Sequence, residues 1–544
     1  MAIAETRHIH NDETDAVVVG AGFAGMYMLV QLRELGLSAQ VFETASDVGG
    51  TWYWNRYPGA RCDVLSLYYS YSFSKELEQE WDWTERYATQ PEILRYADHV
   101  AERFDLRRSI RFETKVTSAT YHEDQGRWEV RTDRGDRVFA RYCIMATGCL
   151  STTKEPEIDS LQRFSGPIYH TGKWPQGGVD FTGLRVGVIG TGSSGVQSIP
   201  LIAEQAADLT VFQRTPAYSM PAGNAPVDPE LLAQWKANYA HHRSEARQSG
   251  FGDVVVPAGE SALAVEPDER LRTYEDRWGW SVLTGIISSY RDLLVDAGAN
   301  ETAAEFVRSK IREVVTDPEV AEALSPRGYT FGTKRPCLDT GYYDTFNRDN
   351  VHLVDLRATP LEEFTPEGIR TTEHDYPLDA IVLATGFDAV TGALSRIDIR
   401  GRDGVALGDK WADGPRTYLG LMVAGFPNLF TITGPQSPSV LTNMMVSIEQ
   451  HVEWIADCLA FLRREGTEII EATLHAEDAW VDHVREIAEY TLFPKTDSWY
   501  MGANVPGKPR VMLPYVAGAA AYRTRCEEVV ADGYGGFVRT PAPS

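Results

Sequence analysis

Short apolar runs that end in a glycine turn and pass into a helical period recur along this chain. Ala16-Val17-Val18-Val19 runs into Gly20-Ala21-Gly22-Phe23-Ala24-Gly25, and an apolar period follows from Met26 to Leu35. Val186-Gly187-Val188-Ile189 runs in the same way into Gly190-Thr191-Gly192-Ser193-Ser194-Gly195. An unbroken apolar run predicts a strand covered on both faces, and the period after it predicts the covering helix. Gln40-Val41-Phe42 and Leu209-Thr210-Val211-Phe212 predict the next strand of each unit. Tyr142-Cys143-Ile144-Met145 ends in Ala146-Thr147-Gly148, and Ile381-Val382-Leu383 ends in Ala384-Thr385-Gly386. These similar breaks bracket the second unit, as if it were inserted in the first. Between them, charged, alanine-rich periods from Glu230 to Ala246 and from Ala303 to Val315 predict helices. After Asn428-Leu429-Phe430-Thr431 the chain returns to a strand, then to helices at Val440–Glu465 and Ala476–Thr491.

The glycine spacing carries chemistry. In a strand–turn–helix context, G-x-G-x-x-G marks a dinucleotide site. The first glycine allows the turn, the second admits a pyrophosphate, and the third lets helix and strand pack closely. The expected fold class is therefore α/β. It has two Rossmann-like dinucleotide-binding domains, the second inserted in the first, with a helical insertion. The expected bounds are 1–150 and 387–544 for the first domain, 151–225 and 328–386 for the second, and 226–327 for the helices.

The two sites differ eighteen residues past the last glycine. Glu43 stands there in the first, placed to accept hydrogen bonds from ribose hydroxyls. Gln213 stands there in the second, followed by Arg214. A carboxylate repels a 2′-phosphate, whereas a guanidinium pairs with it. The first site thus suits FAD and the second NADP.

Length and charge narrow the class. A chain of 544 residues needs more than one core. A net charge of −25 disfavours nucleic acid and anionic membranes as partners. The stretch Met1–Thr14 is polar, and no apolar run is long enough for a membrane span. The six cysteines, Cys62, Cys143, Cys149, Cys337, Cys458 and Cys526, form no C-x-x-C and no zinc spacing. This predicts a cytoplasmic enzyme without a metal and without a redox-active cysteine pair. The expected assembly is a monomer or a weak oligomer.

Phe164, Gly166, His170 and Trp174 form F-x-G-x-x-x-H-x-x-x-W just before the second fingerprint. With a G-x-G-x-x-G on each side, the chain resembles the type I Baeyer–Villiger monooxygenases over essentially its whole length. Trp52-Tyr53-Trp54-Asn55-Arg56-Tyr57-Pro58-Gly59-Ala60-Arg61-Cys62-Asp63, Gly332-Thr333-Lys334-Arg335 and Ser498-Trp499-Tyr500-Met501-Gly502-Ala503-Asn504 share in the resemblance, which is strongest to the phenylacetone and steroid branch.

That resemblance implies FAD, NADPH and O2, and insertion of oxygen beside a ketone carbonyl to give an ester or lactone through a peroxide on the flavin. It implies Arg335 as the charge near the reacting oxygen and Asp63 as the carboxylate that holds it. Lys334 would join Arg214 on the 2′-phosphate, and Trp499 would close over the nucleotide ribose. His170 would act as a conformational or structural residue. The resemblance adds Thr51, Trp52, Tyr69, Val116, Met444, Gln197 and Thr215 to the cofactor-binding set. Gly434–Leu441 is similar to the longer active-site loop of the phenylacetone branch, but Cys149 stands where that branch has glutamine. Two alternatives remain open: oxidation of a sulfide or amine, and a dinucleotide-binding redox sensor without catalysis.

Overall fold

The computed structural model describes residues 11–154, 156, 159–254, 259–281, 284–541 and 543. Most of the polar Met1–Thr14 stretch lies outside the described residues.

Two sheets carry the two glycine turns. The larger runs in the order Asp398–Arg400, Val116–His122, Arg127–Thr132, Arg137–Met145, Asn11–Val19, Ala39–Phe42 and Ile110–Arg111. Asn11–Val19 is parallel to both of its neighbours, with Val18 opposite Val41 and Ile144. Strand Arg137–Met145 has two partners on its other side. Its first half pairs antiparallel with Arg127–Thr132, and Cys143–Met145 pair parallel with Leu429–Thr431. Alternate residues of Asn11–Val19 enter different cores. Ala16 and Val18 pack under the Phe23–Glu34 helix, while Val17 and Val19 pack with Trp128, Phe426 and Leu429. Both faces are covered, which is why the run has no polar alternation.

The second sheet is parallel throughout, in the order Val351–Asp355, Asp208–Gln213, Arg185–Ile189, Ala380–Leu383 and Ile168–His170. All five strands fall in the chain between Arg137–Met145 and Asp398–Arg400.

The Ala-Thr-Gly repeat has a steric cause. A Cβ on Gly20 would lie 2.5 Å from the Ala146 carbonyl oxygen, and one on Gly190 would lie 2.5 Å from that of Ala384. Gly20 has φ +106° and Gly190 φ +105°, a backbone region open to glycine. Each tripeptide therefore seats its alanine on the glycine turn of its own sheet.

Two helices start later or earlier than the apolar period suggests, because their caps decide. Asn443 accepts from the Met445 N–H, so the helix runs Met444–Glu465. Thr473 accepts from the Ala476 N–H, so the next runs Leu474–Glu489.

The helices expected at 226–327 pack in two places. Helix Pro229–Gln248 lies on the first unit, where Trp235 meets Tyr68 edge-on at 4.7 Å and Arg243 pairs with Glu78 at 3.0 Å. Helix Ala297–Val314 leans on the second, with Ile311 in the same core as Val186 and Val188. Strands Ser219–Pro221 and Cys337–Asp339 pair at the root of this excursion.

Candidate functional site

One cavity of about 1320 Å³ joins the two glycine turns. Sites for a single drug-sized ligand span roughly 300–1,000 Å³, so this space exceeds one such ligand. Of the residues expected from sequence, all line it except Gly25 and Gly195. Those two face inward, where a Cβ would run into the Gly20 and Gly190 carbonyls.

The first end is built on bare backbone. Gly22 caps helix Phe23–Glu34 with no side-chain hydrogen bond, so its leading N–H groups are available to an anion. Gly50 approaches so closely that a Cβ on it would sit 2.9 Å from Gly22 Cα. Ala24 and the Phe23 ring lie on the helix side, Phe23 edge-on to Tyr69. Thr51 opens a short helix, Thr51–Trp54, and the Trp52 indole donates to the Tyr69 hydroxyl at 3.0 Å. Val116 and Met444 complete the wall. Glu43 is buried, and its two oxygens accept from the Ala21 and Ala45 N–H groups at 2.7 Å each. Burial raises its pKa against those bonds. This donor and acceptor set fits an adenosine diphosphate with free ribose hydroxyls.

The second end repeats the device with a different charge. Gly192 caps helix Ser193–Gln205, again without a side-chain hydrogen bond, and a Cβ on it would meet no atom within 4 Å. Thr191 donates to the Thr215 carbonyl at 3.0 Å, and Ser194 pairs with Thr171 at 3.1 Å. Ser193 lies 3.4 Å from Cys337 Sγ. Arg214 is exposed at the rim, and Lys334 lies over the Tyr329 ring. Burial lowers the Lys334 pKa, and repulsion from Arg214 and then Arg357 lowers it further. Arg357, which sequence reading missed, donates to the Thr215 hydroxyl at 3.2 Å. Three cations gathered at one rim fit a phosphate ester.

Between the ends, Arg335 is clamped. Its Nε and Nη2 donate to the two Asp63 oxygens at 2.8 Å each, and its Nη1 donates to the Val440 carbonyl at 2.6 Å. Burial alone would lower its pKa. Asp63, and then the Tyr500 hydroxyl that also hydrogen-bonds it, reverse this and raise it. Tyr500 is buried and its phenol is pushed up to about 12 by burial, against the pull of Arg335. The Val440 carbonyl and Tyr500 were not foreseen. Trp499 lies beside Tyr500, with ring centroids 4.2 Å apart, on the cavity wall.

The segment bearing Asp63 is docked on the second unit. Tyr57 donates to Gln197 Oε1 at 2.9 Å, and Gln197 Nε2 donates to the Arg61 carbonyl at 3.2 Å. The Cys62 thiol is buried and its pKa is driven well up by burial.

His170 stands behind the cavity wall, against Gly172, Lys154 and Thr385, which line it. Its Nδ1 accepts from the Gly172 N–H at 3.0 Å, which leaves Nε2 to donate to the Lys154 carbonyl at 3.0 Å. It pins the crossing segment, while Phe164 and Trp174 sit in cores of the second unit.

Residues 14–223 match the family described as flavin-binding monooxygenase-like. The chain is 46% identical over 531 residues to a Baeyer–Villiger monooxygenase of Pseudooceanicola batsensis, covering 96% of each. It is 43% identical to a phenazine N-monooxygenase of Lysobacter antibioticus, covering 98% of this chain and 99% of that one. Among solved structures, an oxidized steroid monooxygenase bound to NADP is similar with TM-score 0.93 and 54% identity, covering 97% of this chain and 100% of the other.

Proposed function

The chain belongs to the Baeyer–Villiger monooxygenases, FAD-containing enzymes that draw on NADPH to oxidise ketones to esters or lactones, and from that premise we propose which residues carry the reaction. The Gly20–Gly25 turn and Glu43 hold FAD, with Thr51, Trp52, Tyr69, Val116 and Met444 around it. The Gly190–Gly195 turn, Gln197, Arg214, Thr215 and Lys334 hold NADPH, and Trp499 covers it. Residues 1–150 and 387–544 form the FAD domain. Residues 151–225 and 328–386 form the NADP domain, with 226–327 as the helical insertion.

Bound there, the flavin supplies oxygen transfer to the ketone, with electrons from NADPH and oxygen from O2. Arg335 provides a fixed positive charge where an oxyanion develops. Of its five N–H donors, Asp63 takes two, the Val440 carbonyl one and the Tyr500 hydroxyl one. The rest of the guanidinium is held in place for the reacting oxygens. Asp63 is a positioning residue that acts through Arg335. A cytoplasmic location and a monomeric or weakly associated state complete the proposal.

The observation that carries it is the bidentate Asp63–Arg335 pair in the wall of one cavity that both uncapped helix N-termini open into. A second reading, oxidation of an amine or sulfide, is favoured by the similarity to a phenazine N-monooxygenase. Purified holoprotein with NADPH is offered linear, aromatic, cyclic and steroidal ketones, a sulfide and an amine, and products are scored by mass. Ester or lactone from a ketone is expected, and is lost in Arg335→Ala. Turnover of the sulfide or amine with no ketone product would replace this reading with the second.

A further inference from the structure

The loop that supplies the Val440 carbonyl is held in a costly backbone conformation. Thr433 has φ +53°, Gln436 φ +68° and Ser439 φ +45°, all in the left-handed region that non-glycine residues enter at a cost. Such residues persist only where neighbours fix them. Thr433 is fixed by its N–H on His451 Nδ1 at 2.8 Å. Gln436 is fixed by its Oε1, which accepts from the Thr417 N–H at 3.0 Å and from the Thr417 hydroxyl at 2.9 Å. Ser439 is fully buried, and its hydroxyl lies 3.0 Å from Cys149 Sγ.

A thiol has one hydrogen, and the Thr433 carbonyl is 3.4 Å from Cys149 Sγ. The Thr433 hydroxyl lies 3.6 Å from the same sulfur, so the thiol faces Thr433 on one side and the Ser439 hydroxyl on the other. One side chain thus ties both ends of the Thr433–Ser439 segment. The next residue, Val440, presents its carbonyl to Arg335 Nη1 at 2.6 Å. Cys149, Val440 and Tyr500 also share one buried apolar cluster, so the guanidinium's carbonyl and phenol partners both rest against it. Burial raises the Cys149 pKa, with Ser439 and Thr433 acting against it, which keeps the hydrogen on sulfur at neutral pH.

We propose that Cys149 is a positioning residue for Arg335: through Ser439 and Thr433 it holds the Val440 carbonyl on the guanidinium. The inference rests on the reading of Arg335 above. The polar contacts of the sulfur are with Thr433 and Ser439, so its hold on the guanidinium runs through the backbone of the loop.

The test compares Cys149→Ala, Cys149→Ser, Ser439→Ala and the double variant Cys149→Ala/Ser439→Ala. Hydrogen exchange of the 434–442 peptide is measured first, on protein with and without FAD. Cys149→Ala should speed exchange about fivefold, the weight of one hydrogen bond, and Cys149→Ser should restore it. Ester formed per NADPH consumed should fall by a similar factor in Cys149→Ala, with KM for NADPH within twofold of the parent. The double variant should be no worse than the worse single one.

Unchanged exchange and unchanged ester yield in Cys149→Ala would overturn the proposal. So would equal losses in the alanine and serine variants, which would mark a packing role alone. If Cys149→Ala fails to fold, Ser439→Ala carries the same expectations. Normal ester formation by Arg335→Ala would instead overturn the reading of the site, whatever the loop does.

Discussion

Removing Asp63 strips Arg335 of a partner that takes two of its donors. Both bonds are 2.8 Å long, and the side chains are 14% exposed for Arg335 and 25% for Asp63. Charge-assisted bonds are worth about 1.5–3 kcal/mol each, and breaking a buried pair costs about 3–5 kcal/mol. The Val440 carbonyl and Tyr500 remain, and water reaches the vacated carboxylate position. The lower end applies, about 3 kcal/mol, or roughly a hundredfold in any step that needs the guanidinium in place. Ester formation at saturating NADPH is measured for Asp63→Ala, Arg335→Ala and the double variant, with flavin content scored to separate binding from turnover. If Asp63 works only through Arg335, the double variant is hardly worse than Arg335→Ala, since residues acting as a unit are non-additive. Losses that multiply would show two independent roles and refute this account of the pair.

Three further outcomes follow from the geometry. Arg214→Ala should raise KM for NADPH by roughly 10- to 100-fold, the weight of one charge-assisted contact, and leave NADH nearly unchanged; equal effects on both would remove Arg214 from the phosphate. Burial, helped by Arg523, holds the His451 pKa down at about 3. Its unfolded form takes up a proton as pH falls through the ordinary histidine value, so the stability that depends on its neutral ring is complete above about pH 6.5 and is lost as pH falls toward 3; urea unfolding of His451→Gln should show a flatter acid limb, and an unchanged limb would contradict this. Burial raises Asp253 to about 6, so its favourable neutral form is complete below about pH 3.9 and lost as pH rises through 6. Asp253→Asn should therefore stabilise the fold at pH 8 by about 1–3 kcal/mol and do little at pH 4, and destabilisation at pH 8 would count against it.

What the sequence revealed was what acts locally. The glycine spacing was legible because the first and last glycine of each motif, Gly20 and Gly25, Gly190 and Gly195, leave no room for a Cβ. Glu43 and Arg214 were legible because the end of a strand fixes their offset. The pairing of Asp63 with Arg335 has no local signature, and only the resemblance brought them together. The Val440 carbonyl escaped because every residue has one, and its use depends on a loop held by Cys149, Thr417 and His451 from distant elements. Arg357 escaped because it follows strand Val351–Asp355, which meets Asp208–Gln213 only through sheet pairing. The insertion read as one helical unit, yet Trp235 and Ile311 were placed by the separate cores they fill.

The strand with partners on both sides has a consequence for synthesis. Cys143–Met145 leave the ribosome early, but Leu429–Thr431, which cover their free edge, come after the entire second sheet. At roughly 5–20 residues per second, that edge waits on the order of tens of seconds with its backbone groups unpaired. An uncovered edge recruits other chains. The second sheet is contiguous and closes on its own schedule while the first is still open. Yield in a heterologous host should thus respond to translation speed and chaperone supply, and a chain truncated anywhere before Thr431 leaves the ribosome with a sticky edge.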